Sequence, residues 1–183
     1  MKGMIGMKVT LIITGSISAY KAAGLTSALT KQGHEVFAVM TKSATKFIAP
    51  LTIQTLSKRP VFTDMFNEQE PEHVTHIELG QNTDLIVVAP ATANIIGKAA
   101  HGIADDLASS ILVAATKPVF FVPAMNSHMY NNKIVQRNIG DLQSVGYKFI
   151  EPDEGMLACG KEGKGKFPRT QKIIDAINDF FCI

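Results

Sequence analysis

The chain has 183 residues, a formal charge of +2, two cysteines and no tryptophan. That length suits one domain with an ample core, expected over residues 1–183, and so small and dispersed a charge argues against a nucleic-acid binder. No apolar run reaches the roughly 18 residues that span a bilayer, so no membrane partner is expected.

Met1-Lys2-Gly3-Met4-Ile5-Gly6-Met7 lacks the apolar core and cleavage site of a secretory signal and reads as a short leader. Lys8-Val9-Thr10-Leu11-Ile12-Ile13-Thr14 follows as a first strand, apolar on both faces like a parallel strand covered by helices on two sides. It runs into Gly15-Ser16-Ile17-Ser18. Residues 18–32 then place Ala19, Ala22, Leu25 and Leu29 at helical spacing, and Gly33 closes the helix. Residues 34–40 predict a second strand, residues 43–58 a helical stretch broken at Pro50, and residues 59–73 an irregular, acidic surface loop.

Val74-Thr75-His76-Ile77-Glu78-Leu79 reads as a short extended piece with His76 and Glu78 on one face. A strand over Asp84-Leu85-Ile86-Val87-Val88-Ala89 ends in Pro90-Ala91-Thr92-Ala93-Asn94, and one or two helices fill residues 92–115 with a bend at Gly102. The run Pro118-Val119-Phe120-Phe121-Val122 enters Pro123-Ala124-Met125-Asn126. A helix over residues 130–145 stops at Gly146, and Tyr147-Lys148-Phe149-Ile150 is a last strand. Residues 151–168, with Gly155, Gly160, Gly163 and Gly165, read as a mobile lid. Residues 170–181 form a final helix with Ile173, Ile174, Ile177, Phe180 and Phe181 on one face. The alternation predicts an α/β fold, a doubly wound parallel sheet of about six strands.

Three strands thus end in small, hydroxyl or amide residues. In a doubly wound sheet such ends gather at the carboxyl edge, where a ligand crevice forms at the reversal of strand order. Gly15-Ser16-Ile17-Ser18 is not G-x-G-x-x-G; it lacks the second glycine that admits a dinucleotide pyrophosphate. A turn with two hydroxyls at a helix start suits a single anionic group, so FMN fits better than NAD. Cys159, between Ala158 and Gly160 and near three lysines, is a candidate reactive thiol, whereas Cys182 in an apolar tail reads as inert. The two cysteines form no disulfide framework and the five histidines show no ligand spacing, so a cytoplasmic, reduced, metal-free protein is expected.

Together Gly15-Ser16-Ile17-Ser18 with Tyr20-Lys21, His76-Ile77-Glu78-Leu79, Pro90-Ala91-Thr92-Ala93-Asn94, Pro123-Ala124-Met125-Asn126 with Met129-Tyr130, and Leu157-Ala158-Cys159-Gly160 resemble the flavin-dependent cysteine decarboxylase family, in particular its members in coenzyme A biosynthesis. The match runs from Gly15 to Lys166. The resemblance implies a Rossmann-like flavoprotein that oxidises the cysteine of 4′-phosphopantothenoylcysteine to a thioaldehyde, releases CO2 and re-reduces the enethiol to 4′-phosphopantetheine. It implies FMN at Gly15, Ser16, Ile17 and Ser18, at Thr41 and Ser43, at Ala91, Thr92, Ala93 and Asn94, and at Ser109. It places substrate at Ala124, Met125, Asn126 and Met129 and under a clamp of Ala158, Cys159 and Gly160. His76 would serve decarboxylation, Asn126 would bind the substrate carboxylate, and Cys159 would be the proton donor. A homo-oligomer is implied, a trimer or a dodecamer of trimers, with the phosphopantothenoylcysteine synthetase expected as a separate protein.

Two positions depart from the family pattern. Asp105 stands where Asn is common, and Lys166-Phe167 where Arg-Met is common, so position 166 keeps its charge but loses the guanidinium fork. A peptidyl-cysteine decarboxylase shares His76 and Asn126 and is the nearest alternative. The Met125-Asn126 loop disfavours a flavin prenyltransferase. The lack of long acidic extensions disfavours a non-catalytic regulatory subunit of a phosphatase.

Overall fold

The computed structural model describes residues 6–66, 74–158 and 160–182. Six strands form one sheet: β1 (Lys8–Ile13), β2 (Glu35–Met40), β3 (Val61–Phe62), β4 (Leu85–Ala91), β5 (Val119–Pro123) and β6 (Lys148–Phe149). Their order is β3-β2-β1-β4-β5-β6, and every pairing is parallel. The strand sequences explain the burial. Val9, Leu11 and Ile13 of β1 join one apolar cluster with α1 (Lys21–Lys31), α2 (Pro50–Ser57) and α8 (Thr170–Phe181). Ile12, Ile86, Val88 and Phe121 point to the opposite face. There they meet α3 (Thr75–Gln81), α4 (Ala93–Ala100), α5 (Leu107–Ala114) and α7 (Lys133–Ser144). Fully burying an Ile or Leu side chain contributes about 1.5–3 kcal/mol, so Ile173, Ile174 and Ile177 alone hold α8 firmly on its face.

Helix boundaries follow local chemistry. Pro50 occupies the first turn of α2, and Gly33 takes φ +87° after α1. Residues 130–145 are not one continuous helix. Asn126 caps a short α6 (Ser127–Tyr130) and Asn132 caps α7, each through its side-chain oxygen, so the chain breaks between them.

The count of six strands holds, but the sixth is not where the sequence pattern puts it. Residues 74–79 belong to α3 and not to an extended piece. Gly80 lies so close to Ile111 O and Ala114 that α3 packs tightly along α5, and the Leu79 carbonyl accepts from the hydroxyls of Thr10 (2.9 Å) and Thr83 (3.1 Å). Those tertiary contacts select the helix over six ambiguous residues. His76 and Glu78 are two apart on a helix and therefore do not share a face. The missing strand is β3, inside the expected loop, pairing Val61 with Ala38 and Phe62 with Val39. Residues 67–73 of that expected loop lie outside the described residues.

Candidate active site

Strand order reverses between β1 and β4, and hydroxyls tie the strand ends together there. Thr14 Oγ1 donates to Pro90 O (2.6 Å) and accepts from Thr92 N–H (3.2 Å). Ser16 Oγ accepts from Ser18 N–H (3.2 Å) and lies 3.3 Å from Ala124 O, linking the first turn to the end of β5. Residues 17–20 make a single 3-10 turn before α1. Gly15 is required by close approach: a Cβ there would overlap Ser43, so the turn after β1 packs directly on the segment after β2.

Asn126 sits just past β5. Its Oδ1 accepts from His128 N–H (2.8 Å), which fixes the side chain as the cap of α6. The opposite end of an amide is a donor, the polarity a carboxylate calls for.

The glycine-rich segment is not an irregular lid. It contains an antiparallel hairpin of β7 (Asp153–Met156) and β8 (Glu162–Lys166). Met125 N–H donates to Gly165 O (3.0 Å). Gly165 has φ +138°, and a Cβ there would overlap Met125 O; one at Gly163 would press on Ser127. These glycines serve close docking of β8 onto the Asn126 loop. An ion pair of Lys164 with Glu151 anchors the base, with Tyr130 Oη donating to Glu151 (3.1 Å) and Lys164 Nζ lying 5.5 Å from the Tyr130 ring centroid. The hydrogen bond from Lys164 holds the Glu151 carboxyl below its usual range, and burial together with the Glu151 charge pushes the Tyr130 phenol up.

The cleft between these elements has a volume of about 510 Å³, within the range of small-molecule sites. Gly15, Ser16, Ile17 and Ser18 form one wall, with Thr92 and Ala93 beside them. Ala124, Met125, Asn126 and Met129 form another, closed by Ala158 from the hairpin. Thr41, Ser43, Ala91, Asn94 and Gly160 do not line this cleft, although Ser43 packs against Gly15 of its wall. Ser109 is buried in the cap of α5, where its hydroxyl accepts from the backbone N–H groups of Asp105 and Asp106. His76, half-buried on α3, does not line the cleft. Cys159 lies outside the described residues.

The lining also includes Tyr20, Lys21, Met156, Leu157, Gly165, Lys166 and Phe167. Burial, reinforced by the charge of Lys166, holds the Lys21 ammonium below the usual lysine range. The Tyr20-Lys21 pair directly after the turn was the available signal for this cation. Of the two departures, Phe167 is 2% exposed and belongs to the core, while Asp105 pairs with Lys98 (2.5 Å), which also holds Asp106 (2.8 Å). The negative charge at 105 is therefore matched within its own chain.

The sequence matches the Flavoprotein family over residues 3–182. The coenzyme A biosynthesis bifunctional protein CoaBC of Bacillus subtilis is 50% identical over 174 residues, which are 95% of this chain and 43% of that protein. This chain thus spans less than half the length of that bifunctional relative. A probable phosphopantothenoylcysteine decarboxylase of Streptococcus mutans is 45% identical over 94% of this chain and 97% of its own length. A PPC decarboxylase mutant complexed with pantothenoylaminoethenethiol superposes with TM-score 0.89 at 33% identity, covering 98% of this chain and all of that one. The FMN binding protein AtHal3 gives 0.85 at 34% identity, covering 97% of each chain. By sequence, by strand order and by the crevice at the β1–β4 reversal, this chain belongs to the flavoprotein family.

Proposed function

We propose that this chain is an FMN-dependent decarboxylase that converts 4′-phosphopantothenoylcysteine to 4′-phosphopantetheine for coenzyme A biosynthesis in the cytoplasm, on substrate supplied by a phosphopantothenoylcysteine synthetase. The observation that carries this reading is the pairing of the capped Asn126 with a hairpin docked over it, across one cleft from the Gly15–Ser18 turn. The turn fits a mononucleotide: it has one glycine, two hydroxyls, and a close approach to Ser43 that admits no Cβ at position 15. Gly15, Ser16, Ile17, Ser18, Thr92 and Ala93 would hold FMN, with Thr41, Ser43, Ala91 and Asn94 supporting them and Ser109 fixing the start of α5.

Bound there, FMN would supply the reversible two-electron oxidation of the thiol that lets the substrate's cysteine carboxylate leave as CO2 without leaving an unstabilised carbanion. The chain's own residues do the rest. Asn126 donates to the substrate carboxylate and orients it, Met129, Met125 and Ala124 shield it from water, and Cys159 delivers the final proton to carbon. A relative's mutant holding an aminoethenethiol is the species expected where that last step is blocked. Cys159→Ser should therefore release CO2 but yield, under anaerobic conditions, a product lacking two hydrogens relative to 4′-phosphopantetheine. Normal product from this variant would remove the thiol from the reaction, and no CO2 from the wild type would remove the function.

His76 does not reach the cleft of its own chain, so a homo-oligomer, such as a trimer, is proposed to bring it to a neighbour's Asn126. His76→Asn should stop CO2 release with a stability change of about 1 kcal/mol. Co-refolding it with Asn126→Asp should restore about a quarter of the sites, because randomly mixed neighbours recombine both native residues. A mixture as inactive as its components would show that both residues act within one chain.

A further inference from the structure

Next to the cleft lies a second hollow of about 480 Å³ that shares Lys21, Lys166 and Phe167 with it and adds Asp153, Glu154, Pro168 and Arg169. Its charges are unbalanced. Asp153 is occupied by Lys172 Nζ (2.7 Å) and accepts from Arg169 N–H (3.3 Å). Lys21 makes its close contacts with neutral groups, lying 3.4 Å from Phe167 O and 5.8 Å from the Phe167 ring centroid, and the charge of Asp153 only partly offsets its burial. No carboxylate among the described residues forms an ion pair with Lys21, Lys166 or Arg169. Two lysines in one wall repel each other, and Lys21 is also partly stripped of water; Asp153 offsets this only in part, so a further anion between the lysines would be favourable.

The position of the hollow defines which anion. The proposed substrate carries its reacting cysteine at one end and a phosphate at the other, separated by the pantothenoyl arm. With the carboxylate at Asn126, the shared wall leads the arm toward the cations of the second hollow. We infer that the hollow holds the 4′-phosphate of the substrate, with Lys21, Lys166 and Arg169 as its cationic partners and the arm passing Phe167. This rests on reading the cleft as a 4′-phosphopantothenoylcysteine site. Ammonium groups on flexible stems suit a tetrahedral dianion that arrives with a mobile arm, which also makes chemical sense of a lysine at position 166.

The test is the discrimination between phosphorylated and dephosphorylated substrate by the FMN-loaded enzyme. Arg169 borders the second hollow and not the cleft, so Arg169→Gln is the primary variant and Lys166→Gln the second. Each should lower kcat/KM for 4′-phosphopantothenoylcysteine about tenfold, through KM, the scale of one lost charge-assisted contact. Pantothenoylcysteine should be affected far less, so the ratio between the two substrates collapses. Calorimetric titration with 4′-phosphopantetheine and pantetheine should show the same lost preference. Equal losses on both substrates, or an unchanged ratio, would overturn the inference. Reduced FMN content in Arg169→Gln would also overturn it, since the hollow would then serve the flavin's phosphate. A wild type that turns over both substrates equally removes only this subsite. One that turns over neither and shows no preference for the phosphorylated ligand removes the functional reading as well.

Discussion

Asn126→Asp should abolish decarboxylation while the protein keeps its fold and its flavin. Asp and Asn are equivalent helix caps, so the acceptor for His128 N–H survives and α6 stays in place. The side chains have nearly the same volume. What changes is one group, a neutral donor replaced by an anion facing the substrate carboxylate. Like charges at contact distance in a water-poor cleft cost several kcal/mol, which corresponds to a rate loss of roughly a thousandfold or more. The measurements are CO2 release, the thermal midpoint and the flavin absorbance of one preparation. Wild-type rates from a folded, yellow variant would move carboxylate recognition away from Asn126.

Gly165→Ala should detach the hairpin and leave the sheet intact. The residue holds φ +138°, which an L side chain rarely adopts, and the added methyl would overlap Met125 O. Relief requires β8 to move away, breaking the Met125 N–H to Gly165 O bond. Strain and clash together are worth about 2–4 kcal/mol, so kcat/KM should fall roughly a hundredfold. The six-stranded sheet does not include β7 or β8, so its unfolding transition should barely move. Protease cleavage within residues 153–166 should accelerate in the variant. Native activity with an uncut hairpin would show that this close approach carries no functional weight.

The main architecture was legible because its signals are local. Apolar runs at β1, β4 and β5, each ending in small or polar residues, announce buried parallel strands whose tips form a site. The errors arose where distant contacts decide. Residues 74–79 are too few for periodicity to choose between helix and strand, and Gly80 against α5 makes the choice. Val61–Phe62 is only two residues long and exists through its pairing with β2. The glycines at 163 and 165 suggest mobility in isolation, yet their purpose is set by Met125 and Ser127, far away in the chain. Lys21 was visible beside the turn, but nothing local revealed that Lys166 would face the same space.

The hairpin meets the Asn126 loop largely through backbone and glycine, and this divides the evolutionary constraints on the protein unevenly. Substitutions in the buried strand ends that shape the flavin wall leave cavities and carry heavy stability penalties. Residues on the ribbon such as Glu154, Met156 and Glu162 are exposed, where exchanges typically stay within about 0.5 kcal/mol. A lineage can therefore alter what kind of molecule is gripped beside the flavin without disturbing how its thiol is handled. Divergence in substrate choice over an unchanged chemistry is the pattern such a construction permits.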